Sequence, residues 1–405
     1  VGLAVVTGRN LCSQKKHVLG KLRILHIQRM AAVSGSEKYI KDLAEAQKQD
    51  GSDVAVVIVC DQQNFSKLEA FAKEIKAKGI EVFVFYSKKW FSYSIIRSLS
   101  QLCRQWKPDL LHTHLLHADV YAAVIKSFFI RSLKIVSTKH GFQETWLEQY
   151  GFAVNSKLKK MPFYWLSRLA ERKIDQSFTI SHAMAAFYYD SKITRQRIPV
   201  IHHGLRQEAI PEEAVLATPS SPLRIVSVGR LTRYKGFRYL LDAMAVLKEK
   251  QPAVVLEIAG NGPQREELET YCKKLGLTDN VRFLGFQPQP QKLLEKAALV
   301  VIPSTVEPFG LVFIEAMAYG KPIVAFDVPA GNEIVKDGET GFLIEPFNTS
   351  MMADRLEKIL FDPVLANSLG KQGRLTLLQR FKFERVHKNV NDLYTGVLKN
   401  LKRPQ

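Results

Sequence analysis

Two carboxylates eight positions apart, Glu307 and Glu315, sit in the stretch STVEPFGLVFIEAMAYGKPIVAFD between Ser304 and Asp327. The apolar run LVVIPS before them predicts a buried strand, so Glu307-Pro308-Phe309-Gly310 is its exit loop. LVFIEAMAYG then predicts a helix ended by Gly320, with Glu315 about a turn and a half inside it. Amides near Gly310, at the opening of that helix, lack intrahelical acceptors and form a ready anion site. One acid there can hold sugar hydroxyls or polarise a reacting region, and the other can accept both hydroxyls of a ribose. The structural alternatives are a helix cap for Glu307 and a simple ion pair for Glu315. A second loop, VGRLTRYKGF (228–237), carries Arg230 and Lys235 between Gly229 and Gly236. Two cations at the carboxyl end of a strand suit a diphosphate, Arg as a planar fork and Lys as a point charge. The Gly-punctuated turn AGNGP (259–263), with Gly262, is a weaker sign of the same kind.

These loops must be held by alternating strands and helices. RILHI, SDVAVVIVCD, IEVFVFY, DLLHTH, LKIVSTKHGF and KIDQSFTIS are strand-like and separated by segments of helical period. From about Pro219 the pattern restarts with LRIVSVG, AVVLEIAG, VRFLGF, AALVVIPS and KPIVAFDV. The expectation is two α/β, doubly wound, Rossmann-like domains in tandem, with a linker near residues 200–220 marked by TPSSP. In such sheets ligands sit outside the carboxyl ends of the strands, so two ligand-binding edges would face each other across a cleft. The expected boundaries are a poorly ordered extension over 1–20, a first domain over 21–205, a second over 206–382, and a last helix over 383–405 crossing back onto the first domain. In the first domain, Gly35 follows the first strand in VSGSEKYIKDLA, His112 and His114 share one face of a strand end, and STKHGF offers His140. An alternating His pair also fits zinc, but no third ligand with sensible spacing is visible, and no Asp-x-Asp occurs.

At 405 residues the chain accommodates two cores. Its four cysteines are scattered without CxxC pairing, which suits a reducing compartment and argues against a disulfide frame or a cysteine metal site. No apolar run approaches the ~18 residues of a membrane span. The net charge of +19 is concentrated in the first half, +15 over residues 1–200 and +4 beyond, which predicts that this half meets an anionic partner. VNSKLKKMPFYWLSRLAERKID (154–175) and SKKWFSYSIIR (87–97) mix Lys and Arg with aromatics, as suits an anionic membrane surface. No RNP, KH or helix-turn-helix signature accompanies the basic pI, so no nucleic-acid partner is expected.

EPFGLVFIEAMAYGKPIVA resembles the E-x7-E signature of the retaining glycosyltransferases of the large GT4 family, which have the two-domain GT-B architecture. GRLTRYKG, AGNGPQREELE, VRFLGF, GNEIVKDGETGFLI and the tail RFKFERVHKNVNDLY support the likeness in order, over nearly all of residues 22–395. The resemblance implies that Arg230 and Lys235 bind the donor diphosphate and that Glu315 binds the ribose. It also places Glu307 on the donor sugar and the amides of Phe309, Gly310 and Leu311 near the distal phosphate. Gly35, Gly229 and Gly262 would approach the donor, His114 would touch its sugar, and His140 would touch donor sugar or acceptor. It further implies transfer of a hexose or N-acetylhexosamine from a nucleotide-sugar, a UDP-sugar before a GDP-sugar, with retention of configuration and no metal or other cofactor. The acceptor would be a glycan or lipid-linked group in cell-surface polysaccharide or lipopolysaccharide synthesis, met at the cytoplasmic face of a membrane. The chain departs from the family at IHHGLR, where His203 and Arg206 stand at the interdomain turn. A sugar-nucleotide 2-epimerase of the same architecture is the alternative; a Rossmann dehydrogenase is disfavoured because no G-x-G-x-x-G follows the first strand.

Overall fold

The computed structural model describes residues 21–214 and 223–399, so the expected extension over 1–20 and the TPSSP linker mark lie outside the described residues. Six strands form the first sheet: β1 (Arg23–Arg29), β2 (Asp53–Cys60), β3 (Glu81–Tyr86), β4 (Leu110–His114), β5 (Ile135–Lys139) and β6 (Gln176–Thr179). All are parallel, in the order β3-β2-β1-β4-β5-β6. The second sheet repeats that order with β7 (Arg224–Val228), β8 (Val255–Ala259), β9 (Val281–Gly285), β10 (Leu299–Ile302), β11 (Ile323–Phe326) and β12 (Gly341–Ile344), arranged β12-β11-β10-β7-β8-β9. Runs such as Val54–Cys60 are apolar on both faces because helices cover both sides of a parallel sheet. In each sheet the order reverses beside the first strand, which opens a crevice at the carboxyl edge.

The helix Phe383–Lys399 belongs to the first domain's core. Phe383, Val386, Val390, Tyr394 and Val397 bury against Ile24 of β1, Leu110 of β4, Val136 of β5 and Phe178 of β6. The chain passes between domains at two adjacent points, where the Leu205 amide donates to the Phe381 carbonyl at 2.9 Å and the Phe383 amide donates to the Leu205 carbonyl at 2.9 Å. Gly204 is required there, since a Cβ would lie 2.8 Å from the Lys382 carbonyl carbon.

In the second domain the helix Pro363–Arg380 lies directly on the end of the helix Leu311–Ala318. A Cβ on Gly370 would meet the Gly320 carbonyl oxygen at 1.9 Å. Gly370→Ala is therefore expected to force these elements apart and cost about 1–3 kcal/mol, read as a lowered midpoint in urea with an unchanged slope.

Candidate active site

The two cation- and carboxylate-bearing loops of the second domain are stitched together at the carboxyl edge of β7 and β10. The Thr305 amide and hydroxyl both donate to the Tyr234 carbonyl, at 2.8 and 3.1 Å. Gly236 has φ +70°, and a Cβ there would lie 1.9 Å from the Pro303 carbonyl oxygen. This close approach brings the Lys235 ammonium to 2.5 Å from Glu307 Oε2, which also accepts from the Ser304 hydroxyl at 3.2 Å. Burial alone would lower the Lys235 pKa, but the Glu307 carboxylate, together with Tyr234 and Glu144, outweighs it and holds the ammonium above its ordinary range. Glu307 thus anchors the lysine; Gly310, in the left-handed region at φ +89°, occupies the cap position of the following helix.

Beyond Gly310, the amides of Gly310, Leu311 and Val312 have no acceptor among the described residues. The Phe309 side chain turns inward, packed against His202, His203 and Phe381, so only its backbone faces the loop. Glu315 has neither an ion pair nor a hydrogen bond among the described residues. Burial raises its pKa, and the exposed Lys38 ammonium of the first domain pulls the other way. A half-buried carboxylate and unpaired helix amides thus stand side by side at this edge.

Gly35 opens the helix Gly35–Gln49 directly opposite, and a Cβ there would lie 3.1 Å from Leu311 Cδ1. Glu37 fixes its approach, accepting from the Ser34 amide at 2.9 Å and the Gln28 side-chain amide at 2.5 Å. Arg230 reaches across the cleft to Glu144 with Nη1 at 2.7 and 2.9 Å from its two oxygens. Both partners are about half exposed, so the pair is weak and readily exchanged for a ligand's phosphate. A Cβ on Gly229, the residue that follows β7, would stand 3.5 Å from the Phe237 ring. A Cβ on Gly262 would meet the Leu231 backbone at 2.4 Å, so this glycine supports the Arg230 loop from below.

The structure corrects the expectation for His114. Its side chain is wholly buried, with Nε2 3.1 Å from His26 Nδ1 and Nδ1 3.0 Å from His140 Nε2, so neither nitrogen is free for a sugar. His140 lies nearer the cleft, stacked on His203, which in turn meets Phe309. His26, absent from the sequence reading, is the third imidazole beside the His112–His114 pair. The β1–β4 register sets His26 against His112 and Gln28 against His114. Nitrogens of His26, His112 and His114 lie within 4.8 Å of one another, as do ligand atoms of His182, His202 and Glu333; among the described residues these are the groups that could hold a metal. In the first group, hydrogen bonds already engage those nitrogens. In the second, Glu333 accepts from the amides of His182 and Ala183 at 2.8 and 2.9 Å and pairs with His202 at 3.0 Å, clasping one domain to the other.

With this geometry in place, the class of protein is defined: two Rossmann-like domains, anion-binding loops on their facing edges and a crossover helix make a GT-B fold. The Glycosyltransferase Family 4 domain matches residues 33–208 and the Glycosyl transferases group 1 domain matches residues 210–376, so the chain belongs to the GT4-type glycosyltransferases. An uncharacterised glycosyltransferase of Haemophilus influenzae is 27% identical over 350 residues, 86% of this chain and 93% of its own. The lipopolysaccharide core biosynthesis glycosyltransferase LpsE of Rhizobium meliloti is 31% identical over 187 residues, 46% of this chain and 53% of its own. The crystal structure of Anabaena HepE in complex with UDP and glucose superposes with a TM-score of 0.77 at 22% identity, covering 93% of this chain and 100% of that one, and shows the same fold.

Burial sets the charge of the histidine cluster. It lowers the pKa of His26 to about 4 and of His203 to about 3, and holds His112, His114 and His140 well below the ordinary value. The folded chain keeps these rings neutral while the unfolded chain protonates them near pH 6.5, so the unfolded state binds more protons below that pH. Stability is therefore fully present above about pH 6.5 and falls as the pH drops towards 4, by about 1.4 kcal/mol per pH unit for each ring. A melting temperature that declines steeply between pH 7 and 5 is expected; a flat profile would contradict neutral burial.

Proposed function

We propose that the chain is a retaining glycosyltransferase that moves a hexose or N-acetylhexosamine from a UDP-sugar to a glycan or lipid-linked acceptor in cell-surface polysaccharide or lipopolysaccharide synthesis. The observation that carries the reading is the buried Lys235–Glu307 pair beside the unpaired amides of Gly310, Leu311 and Val312, with the unpaired Glu315 a turn further on. A departing diphosphate gathers negative charge. Lys235 and the helix amides are a fixed cation and fixed dipoles placed to receive it without reorganising, and Arg230 exchanges its exposed pair with Glu144 for the phosphate. On this reading the protein's own cations neutralise the leaving group and no metal ion is required. Glu315 takes the ribose hydroxyls, Glu307 faces the donor sugar while holding Lys235, and the leaving phosphate assists a same-face attack. The UDP and glucose in the HepE complex and the role given in the LpsE name support the donor class and the pathway. The epimerase alternative has no observation in its favour.

The acceptor side of the reading is a membrane surface. The two basic, aromatic stretches meet in the fold, with Trp90 and Phe163 ring centroids 5.3 Å apart. Phe91, Tyr93, Trp165 and Leu169 are exposed around that contact, along with Lys88, Lys89, Lys157, Lys159 and Lys160. Tyr164, by contrast, is fully buried and takes no part. Among the described residues no helix is long and apolar enough to cross a membrane, so the attachment proposed is peripheral.

Lys235→Ala and Arg230→Ala are expected to lower turnover by two or more orders of magnitude with the fold intact, as loss of a transition-state charge partner does. Glu307→Gln should chiefly lower turnover, and Glu315→Ala chiefly weaken UDP binding, read as a smaller UDP-induced rise in melting temperature. Full transfer activity in all four variants would remove the assignment. On vesicles, the protein should sediment with anionic but not neutral lipid and be released by high salt; equal binding to both would remove the surface.

A further inference from the structure

The buried histidines form one directional chain of hydrogen bonds, and its direction is set far from the cleft. Gln47, fully buried in the helix Gly35–Gln49, places Oε1 2.8 Å from His26 Nε2. A carboxamide oxygen only accepts, so His26 carries its proton on Nε2 and leaves Nδ1 as a lone pair. That lone pair accepts from His114 Nε2 at 3.1 Å, which leaves His114 Nδ1 to accept from His140 Nε2 at 3.0 Å. His140 Nδ1 is then bare. It is also enclosed and without a partner in the fold.

The second branch agrees with the first. The Gln47 side-chain amide donates to the Tyr394 hydroxyl at 3.2 Å, and Tyr394 donates to His112 Nδ1 at 2.6 Å. His112 Nε2 then donates to the Thr138 hydroxyl at 2.7 Å. Turning the Gln47 amide over would reverse every bond in both branches at once, so one side chain decides the tautomer of four rings. Burial keeps the rings neutral, which the chain requires, because a protonated imidazole has no lone pair to pass on.

We propose that Gln47 and His26 are positioning residues: through His114 they hold His140, the residue that the family resemblance sets against the donor sugar or the acceptor, in the tautomer whose Nδ1 can accept a hydrogen bond from a sugar hydroxyl. The ring is well placed for this. His140 is the residue that follows β5 at the carboxyl edge, and it stacks at 5.4 Å on His203, which meets Phe309 at 5.2 Å beside the Glu307 loop. A nitrogen locked as an acceptor welcomes a hydroxyl and rejects a group that offers only a lone pair, so the relay selects for a free hydroxyl at that position of the sugar. The sugar contact rests on the glycosyltransferase reading above; the relay itself does not.

The test is a long-range 1H–15N spectrum of the histidine rings in the full chain, which reports the protonated nitrogen of each ring directly. The expected result is Nε2–H on His26, His114 and His140 in the free protein. Nδ1–H on His140 overturns the relay, and this wild-type spectrum is decisive even if a variant fails to fold. Gln47→Leu should mix the His140 tautomers and lower kcat/KM about tenfold, whereas Gln47→Glu, which still accepts from His26, should restore the tautomer. A His140 tautomer unchanged in a folded Gln47→Leu protein overturns the role of Gln47. UDP-glucose is the probe for the contact. At saturation it should move the His140 Nδ1 resonance, UDP alone should not, and an unmoved resonance overturns the sugar contact. If UDP-glucose does not bind at all, the donor assignment and the contact built on it fail, while the free-protein tautomers still decide the relay.

Discussion

The site depends on a lysine kept charged in a place that would otherwise strip its charge. The Lys235 ammonium is largely withdrawn from water, and the Glu307 carboxylate at 2.5 Å is what makes that tolerable. Burying an ion pair is often no gain in stability, and removing one partner leaves an uncompensated charge. The pair also restricts both loops, since Lys235 stands at the exit of β7 and Glu307 at the exit of β10. A fixed positive charge results at the point where two strand exits and a helix opening converge. Arg230 is held differently, by an exposed pair with Glu144, so one cation is built in and the other can move to a ligand.

Around this centre the two domains are joined by contacts of contrasting kinds. The Glu333 carboxylate caps the helix His182–Asp190 of the opposite domain, the Leu205–Phe381 and Phe383–Leu205 backbone bonds tie the crossing strands of chain, and Phe309 packs against His203. The Arg230–Glu144 bridge across the cleft is about half exposed to water and salt, unlike these more buried contacts. The arrangement allows that bridge to loosen while these contacts stay packed.

Much of the fold was legible because strand runs such as DVAVVIVC and LVVI are continuous and apolar, and helical segments between them repeat at three-to-four spacing. The loops at strand exits were legible for a related reason: Gly229, Gly236 and Gly310 mark places where backbone must approach something closely, and Glu307 and Lys235 are charges where an apolar sheet ends. What could not be read was pairing across distance. Gln47 and Tyr394 are 347 positions apart and Arg230 and Glu144 are 86, and no spacing rule connects them. The resemblance set His114 at the donor sugar, and strand alternation, which gives a face but not a depth, could not show that it is buried. The signal for His26 was present but small, a single imidazole within the apolar run ILHI.

The last helix has a consequence for how the molecule is made. Phe383, Val386, Val390, Tyr394 and Val397 share with Tyr39, Leu43 and Ala46 of the helix Gly35–Gln49 the face of the first sheet formed by Ile24, Leu110, Val136 and Phe178, so that layer is completed only after the whole second domain has been made. The second sheet, all of whose strands lie between Arg224 and Ile344, has its own strands in hand earlier. Synthesis from the amino end therefore completes the later-encoded lobe before the earlier-encoded one. Until its last helix is made, the nascent polypeptide carries this sheet face only partly covered, by Tyr39, Leu43 and Ala46.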